Sequence, residues 1–147
     1  MSFKNAVSLW LLGVILAAPK IYFSLEEVLP KDGEPVLLVF FSNQCPACRD
    51  ELAEMTYFIE KNCLDVHLVG VTCDPREEVE LFLDKDSLSR PVVLDVRKKI
   101  HRKFGVDLIP YKVILKDRAV VYRDNYYQAF FERRKEAERC LLDICRK

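Results

Sequence analysis

The sequence has no surplus of charge, no internal repeat and no low-complexity tract. Lys+Arg and Asp+Glu cancel at 23 each, so no global basic field argues for a nucleic-acid partner. Six cysteines in 147 residues are too few for a disulfide scaffold, yet more than most cytosolic enzymes carry. A structural zinc site needs a second ligand pair in comparable spacing, and none accompanies Cys45 and Cys48. The two histidines stand apart. His67 alternates within a predicted strand and His101 falls in a basic helix, so each reads as packing or surface rather than ligand.

What is present suits one globular domain. The length is enough to bury a real core, and half of the residues are apolar with 31% charged, an ordinary globular balance. The N-terminus is a segment of its own: Lys4 precedes an apolar run from Ala6 to Ala18. A run of that length matches a signal-peptide core better than a full span. The cleavage signals are poor, because a cut after Ala18 leaves Leu16 where a small residue is preferred and Pro19 just beyond. If Lys20 snorkels, residues 4–23 form a helix of about 30 Å, enough to cross a bilayer. The expectation is an anchor or signal segment over 1–23 and a domain over 24–147 outside the cytoplasm; a buried first helix is the alternative.

The rest of the chain alternates strand and helix signals. "VLLVFFS" (36–42) is a continuous apolar run, which predicts a strand covered on both faces. Residues 46–62 carry Leu52, Met55, Ile59 and then Cys63 at helical spacing. A β-rich run follows at 65–73, then a helix at 75–85 with Val79, Phe82 and Leu83 on one face. "PVVLD" (91–95) predicts a short strand, and "RKKIHRKFG" a short helix closed by Gly105. Residues 111–124 predict a hairpin turning at Lys116–Arg118 without the usual Asn-Gly or Asp-Gly. A charged helix is expected from Tyr126 to about Cys145. This order predicts an α/β sandwich with a mixed sheet.

The chemistry concentrates in "FFSNQCPACRDELAEM" (40–55). Cys45 falls where strand gives way to helix, and Pro46 takes the first helical position, which proline favours. A thiolate on Cys45 would face the unpaired N–H groups and positive dipole end of that helix, an environment that lowers a cysteine pKa from about 8.5 into the range of roughly 3.5–7.5. Cys48, one turn in, can fold back on a mixed disulfide at Cys45. A purely structural bridge over three residues closes too small a loop to stabilise much. The pair therefore reads as a redox nucleophile and its resolving thiol.

From residue 34 to about 124 the sequence resembles the thioredoxin-like domains of membrane-anchored TlpA-like reductases, relatives of the cytochrome-c-maturation thioredoxins and, more distantly, of peroxiredoxins. "CPAC", "VGVTCDPREEVELFL", "PVVLD" and "KFGVDLIPYKVILKDRAVVYR" carry the likeness. It implies a three-layer α/β/α sandwich with a mixed central sheet, and thiol–disulfide exchange with no cofactor and no metal. It implies a cis-proline at Pro110, an X–Pro geometry uncommon enough to be a functional feature. Ile109 would dock an extended substrate peptide beside it, with Pro46 and Ala47 on the same platform. A bulky residue before the cis-proline resembles reductases more than oxidases. The implied partners are protein disulfides or dithiols, apocytochrome c among them, with an upstream membrane electron donor and the membrane itself through the N-terminal segment.

The sequence also departs from that pattern. Gln44 stands where tryptophan usually precedes the first cysteine, and Val39 where thioredoxins bury an acid. Asp74, at the end of the second predicted strand, is then the expected base, because those strand ends ring the active site; capping the helix at Pro75 is its other reading. A peroxidase reading is weakened by Leu38 at the position where peroxiredoxins carry proline, although Ser42 fits. A copper-delivery module wants C-x-x-x-C, and an adaptor would not need both cysteines. Cys73 is expected at the active-site end, as inert core or as a third redox thiol. Cys63, about 27 Å down the helix from Cys45, should lie at the opposite end near Cys140 and Cys145. There, either a Cys63 bridge to one of them or simple apolar packing is expected.

Overall fold

The computed structural model describes residues 21–85 and 90–146. Six strands form one sheet: β1 (Ile21–Tyr22), β2 (Val36–Phe40), β3 (His67–Thr72), β4 (Val92–Leu94), β5 (Tyr111–Lys116) and β6 (Ala119–Arg123), in the order β1-β4-β3-β2-β5-β6. The first four are parallel, and β5 runs antiparallel to both β2 and β6. Helices α1 (Pro46–Lys61), α2 (Arg76–Lys85), α3 (Lys99–Phe104) and α4 (Phe130–Cys145) complete the fold.

Every residue of β2 is buried because both faces of the sheet are covered. Leu37 and Val39 pack in one core with Leu52, Met55 and Ile59 of α1, Val79, Phe82 and Leu83 of α2, and Ala137 and Leu141 of α4. Leu38 and Phe40 pack in the other with Val69, Val71, Val113 and Phe104 of α3. That explains why β2 shows no alternation in its sequence: strict period two is a signal of one wet face, and this strand has none. At about 1.5–3 kcal/mol per fully buried large side chain, these two layers hold the fold. The result is the expected α/β/α sandwich with a mixed sheet.

Local rules set the boundaries. Gly105 closes α3 in the left-handed region at φ 66°, where a side chain would be strained. The hairpin turns at Asp117 and Arg118, both at positive φ (50° and 63°), so it adopts the left-handed turn without glycine. Asp117 N–H also donates to Gly33 O at 3.1 Å. α4 begins at Phe130, four residues later than expected. Asn125 explains the delay: its side chain accepts from Tyr127 N–H and its carbonyl from Gln128 N–H, both at 3.0 Å, a turn that competes with helix.

The segment expected as an anchor over 1–23 needs one correction. Ile21 and Tyr22 pair in register with Val92 and Val93, so the folded unit begins before residue 24. Residues 1–20 of that segment lie outside the described residues. Among the described residues no helix is long and apolar enough to cross a membrane.

A charged cluster is embedded in the layer shared by α1 and α4. Lys112 is fully buried on β5, directly across from Val39. Its Nζ lies 2.8 Å from Glu51 Oε1 of α1 and 3.0 Å from Asp124 Oδ2 just after β6. Arg134 of α4 grips Glu51 Oε2 through Nε and Nη2 at 3.0 and 2.8 Å, and Tyr122 Oη donates to Asp124 Oδ1 at 2.7 Å. Removing one partner of such a cluster leaves a buried charge uncompensated, which costs about 3–5 kcal/mol. Lys112→Met should therefore lower the urea midpoint by that equivalent with an unchanged denaturant slope; a loss below about 1 kcal/mol would mean that Arg134 on Glu51 and Arg133, 3.9 Å from Asp124, suffice.

Candidate active site

Cys45 is the N-cap of α1, with extended φ/ψ of −103° and 102°, and Pro46 follows at the first helical position. Cys45 and Cys48 form a disulfide with their Cα atoms 5.2 Å apart. The Cys45 sulfur also accepts the Cys48 N–H at 3.2 Å, so one of the orphan donors of the helix start points at it. Cys45 is half-buried, while Cys48 is 0% exposed beneath it. Pro46 and Ala47 are exposed on either side of this opening. The helix geometry thus distinguishes an accessible sulfur from a hidden one.

The loop leading into Cys45 is held from β3. Asp74 accepts Ser42 Oγ–H on Oδ1 at 2.9 Å and Asn43 N–H on Oδ2 at 2.6 Å. Both oxygens of the carboxylate expected to act as base therefore fasten residues 42–43, just before Cys45. Ser42 spends its hydroxyl on this contact, and Leu38 is fully buried in β2. A peroxide pocket is not built from these two positions.

Ile109–Pro110 is a cis peptide bond. Because Phe40 pairs with Tyr111, Pro110 is level with Phe41, on the approach to the redox pair. Pro110 is buried while Ile109 and Leu108 are 38% and 65% exposed, so two apolar side chains face solvent beside the disulfide's end of the sheet. Tyr126, expected as the first residue of the last helix, instead pins this segment. Its hydroxyl accepts the N–H groups of Asp107 and Leu108 at 2.8 and 3.1 Å, and its ring stacks on Tyr111 at 4.8 Å.

Sequence reasoning missed two acids, Glu51 and Asp95, and a histidine contact. Glu51 sits one helical turn after Cys48 and carries the ion pairs described above. The signal was available in Lys112: a lysine inside a predicted apolar strand needs a buried anion. His101 is not solitary. Its Nδ1 lies 2.7 Å from Asp95 Oδ2, which also accepts the His101 backbone N–H at 2.9 Å. Cys73 Sγ is 3.6 Å from Nδ1 and 3.8 Å from Nε2 of the same ring. Periodicity could not reveal this, because residues 73, 95 and 101 belong to three elements.

The electrostatics separate these thiols. Burial, reinforced by the nearby Asp95 carboxylate, pushes the Cys73 thiol up from its ordinary range. Burial alone would also raise Asp95, but hydrogen bonds from His101 and Ile100 hold it below the usual carboxylate value. At the far end, Cys63 and Cys145 line one cleft of about 580 Å³, as the helix directions require. Cys63, Cys73, Cys140 and Cys145 are all free thiols, and burial raises Cys140 and Cys145 as well.

The sequence profile of the AhpC/TSA family matches residues 20–126. Sporulation thiol-disulfide oxidoreductase A from Bacillus subtilis is 26% identical over 113 residues, 74% of this chain and 68% of its own length. Thiol-disulfide oxidoreductase ResA from Halalkalibacterium halodurans is 24% identical over 99 residues, 66% of this chain and 56% of its own length. The solution structure of an uncharacterized thioredoxin-like protein from Porphyromonas gingivalis matches with a TM-score of 0.66 at 24% identity, covering 80% of this chain and 79% of that one. At that identity the structural likeness concerns the fold.

Two outcomes test the geometry. In reduced protein at neutral pH, iodoacetamide should alkylate Cys45 well before Cys48 or Cys73, read by peptide mass mapping; preferential labelling of Cys48 would reverse the assignment. Asp95 has a depressed folded pKa, so its contribution is present above the unfolded value of about 3.9 and is lost as pH falls through the lower folded value. Asp95→Asn should cost about 1–3 kcal/mol at pH 7 and flatten the loss of stability below about pH 4. An unchanged acid limb would show that another carboxylate sets it.

Proposed function

We propose that this chain, which belongs to the AhpC/TSA family and is a thiol–disulfide oxidoreductase of thioredoxin-like fold, works as a reductase of protein disulfides outside the cytoplasm. The observation that carries the reading is the bonded pair at the helix start: a partly buried Cys45 at the rim backed by a fully buried Cys48.

In the reductive cycle the Cys45 thiolate attacks one sulfur of a substrate disulfide. A Cys45–substrate disulfide forms, and the first substrate thiolate leaves and takes up a proton. Cys48 then loses its proton and attacks Cys45 Sγ, which releases the second substrate thiol and forms the Cys45–Cys48 disulfide. Two electrons have passed to the substrate, and an upstream dithiol donor must return them. The helix dipole and the Cys48 N–H favour negative charge on Cys45 as the attacking thiolate of the first step. Ile109, beside Pro110, is the docking edge for an extended substrate segment, flanked by Pro46 and Ala47. Asp74 acts as a positioning residue through the 42–43 loop.

The bulky Ile109 supports the reducing direction. The apolar segment that begins after Lys4 supports an extracytoplasmic, membrane-anchored or secreted location. The substrates are then cysteine pairs in secreted or membrane proteins, apocytochrome c among them. Insulin disulfide reduction tests the chemistry: Cys45→Ser should reduce turnover to background, and Cys48→Ser should accumulate mixed disulfides. Substantial turnover by Cys45→Ser would remove the assignment. Equilibration with a glutathione buffer tests direction: a reductase should fall toward the lower end of the span of about −270 to −120 mV seen among such proteins, and a value near the upper end would make it an oxidant.

A further inference from the structure

One stretch at the active-site end plays no part in the exchange just described. Residues 96–106, "VRKKIHRKFGV", hold five Lys or Arg and no Asp or Glu, in a chain whose charges otherwise cancel. Arg97, Lys98, Lys99, Arg102 and Lys103 are all exposed. Among the described residues the first four side chains have no hydrogen bond and no ion pair, and Lys103 only rests over the Phe104 ring, 5.6 Å from its centre. Asp95, just before the run, is buried and engaged with His101; Asp107, just after it, is exposed. Asp95 N–H donates to Thr72 O at 2.7 Å, and Lys98 N–H to Asp95 O at 2.9 Å. The run therefore leaves the sheet where β3 and β4 finish, the end that carries Cys45. Exposed Val96 opens it, and exposed Leu108 and Ile109 follow it back to Pro110.

Local physics argues against these charges here. Asp95 serves the start of α3 by accepting His101 N–H, but no acid stands in its first turn, and cations at that end oppose the helix dipole. Lys98 and Arg102, like Lys99 and Lys103, are equal charges four residues apart, a spacing that destabilises a helix. Lys98 also occupies the left-handed region at φ 55°, which glycine or asparagine adopts more readily. Departures from local preference without an internal compensation collect at functional surfaces. We propose that Arg97, Lys98, Lys99, Arg102 and Lys103, with Leu108 and Ile109, form the specificity surface for an acidic protein substrate, whose segment beside the exchanging cysteine carries Asp or Glu next to apolar side chains. The proposal rests on the reductase reading and names the substrate class of that site. Charge complementarity carries it. A spread of exposed cations matches a row of carboxylates, which Arg97 and Arg102 can bind in bidentate fashion, and Leu108 and Ile109 match the aliphatic neighbours. The occupant is a polypeptide rather than a lipid surface, because Cys45 must meet a substrate sulfur at this same end and a bilayer pressed against it would close the opening. Steering by a patch of one sign raises encounter rates by about 10- to 1000-fold and fades as salt rises.

The test reads binding apart from exchange. Whole protein with Cys45 and Cys48 oxidised is titrated with a short peptide in which serine replaces cysteine and Glu and Leu flank it, followed by amide NMR. Amides of residues 97–103 and 108–109 should shift, and the peptide should bind at least about tenfold more tightly than its Lys-for-Glu counterpart. Salt at about 1 M, where the Debye length is about 3 Å, should remove the difference. Arg97→Glu combined with Lys99→Glu should reverse the preference, with folding checked by circular dichroism; Arg102→Glu combined with Lys103→Glu serves should the first pair fail to fold. Reduced protein should then exchange faster with the disulfide form of the acidic peptide than with the basic one. Equal binding of the two peptides, a preference unmoved by both charge reversals, or cosedimentation with phosphatidylglycerol vesicles without binding of the Glu peptide would each overturn the proposal. The reductase reading fails separately: turnover surviving in Cys45→Ser would remove it and leave Glu-peptide binding untouched.

Discussion

The docking of α1 and α4 on the sheet depends on one buried amine. Lys112 projects from a central strand into the layer between the sheet, α1 and α4, where an unpaired ammonium would cost several kcal/mol. It is stable there because Glu51 arrives from α1 and Asp124 from the end of β6. The two acids recruit Arg134 and, at 3.9 Å, Arg133 from α4. The Phe130 ring lies within 6 Å of all three cations. Each charge is satisfied only if all these elements sit in one relative position. The cluster therefore specifies where α4 docks, a register that the small number of buried α4 residues, Ala137 and Leu141, would fix only loosely.

That constraint reaches the redox pair through α1. Glu51 is one turn beyond Cys48, so clamping its carboxylate fixes the rotation of the helix about its axis. Rotation decides which cysteine is hidden. Cys48 points with Leu52 and Met55 toward the sheet, and Cys45, at the cap, is left at the rim. Two further fasteners act from outside the helix. Asp74 ties the 42–43 loop to β3, and the Tyr126 hydroxyl ties residues 107–108 next to Pro110. The loop before Cys45 and the apolar segment before Pro110 are thus held by different elements and different hydrogen bonds.

The remaining thiols are sorted by the same geometry. The Cys73–His101–Asp95 group shares the active-site end but faces α3, whereas Cys63 and Cys145 share a cleft at the opposite end. Parallel strands produce this division: β2 and β3 both finish at the active-site end, and the helices that follow or oppose them finish at the other. A cysteine's place along its element therefore decides which chemistry it can join.

Much of this was legible in the sequence. The strand–CPAC–helix junction, the helical faces at Leu52/Met55/Ile59 and Val79/Phe82/Leu83, the Gly105 stop and Pro110 are local patterns, set by backbone sterics, capping and periodicity within a few residues. Because strand direction follows from element order, even the approach of Cys63 to Cys145 could be reasoned in advance. What escaped were pairings between distant segments. The sequence presents Lys112, Glu51, Asp124 and Arg134 as four ordinary charges, and His101 as a solitary residue in a basic helix. Their meaning arises only when β5, α1 and α4, or β3, β4 and α3, are brought together. A charge states its need for a partner in the sequence, but which partner meets it is decided by distance, and distance between remote residues exists only in the folded chain.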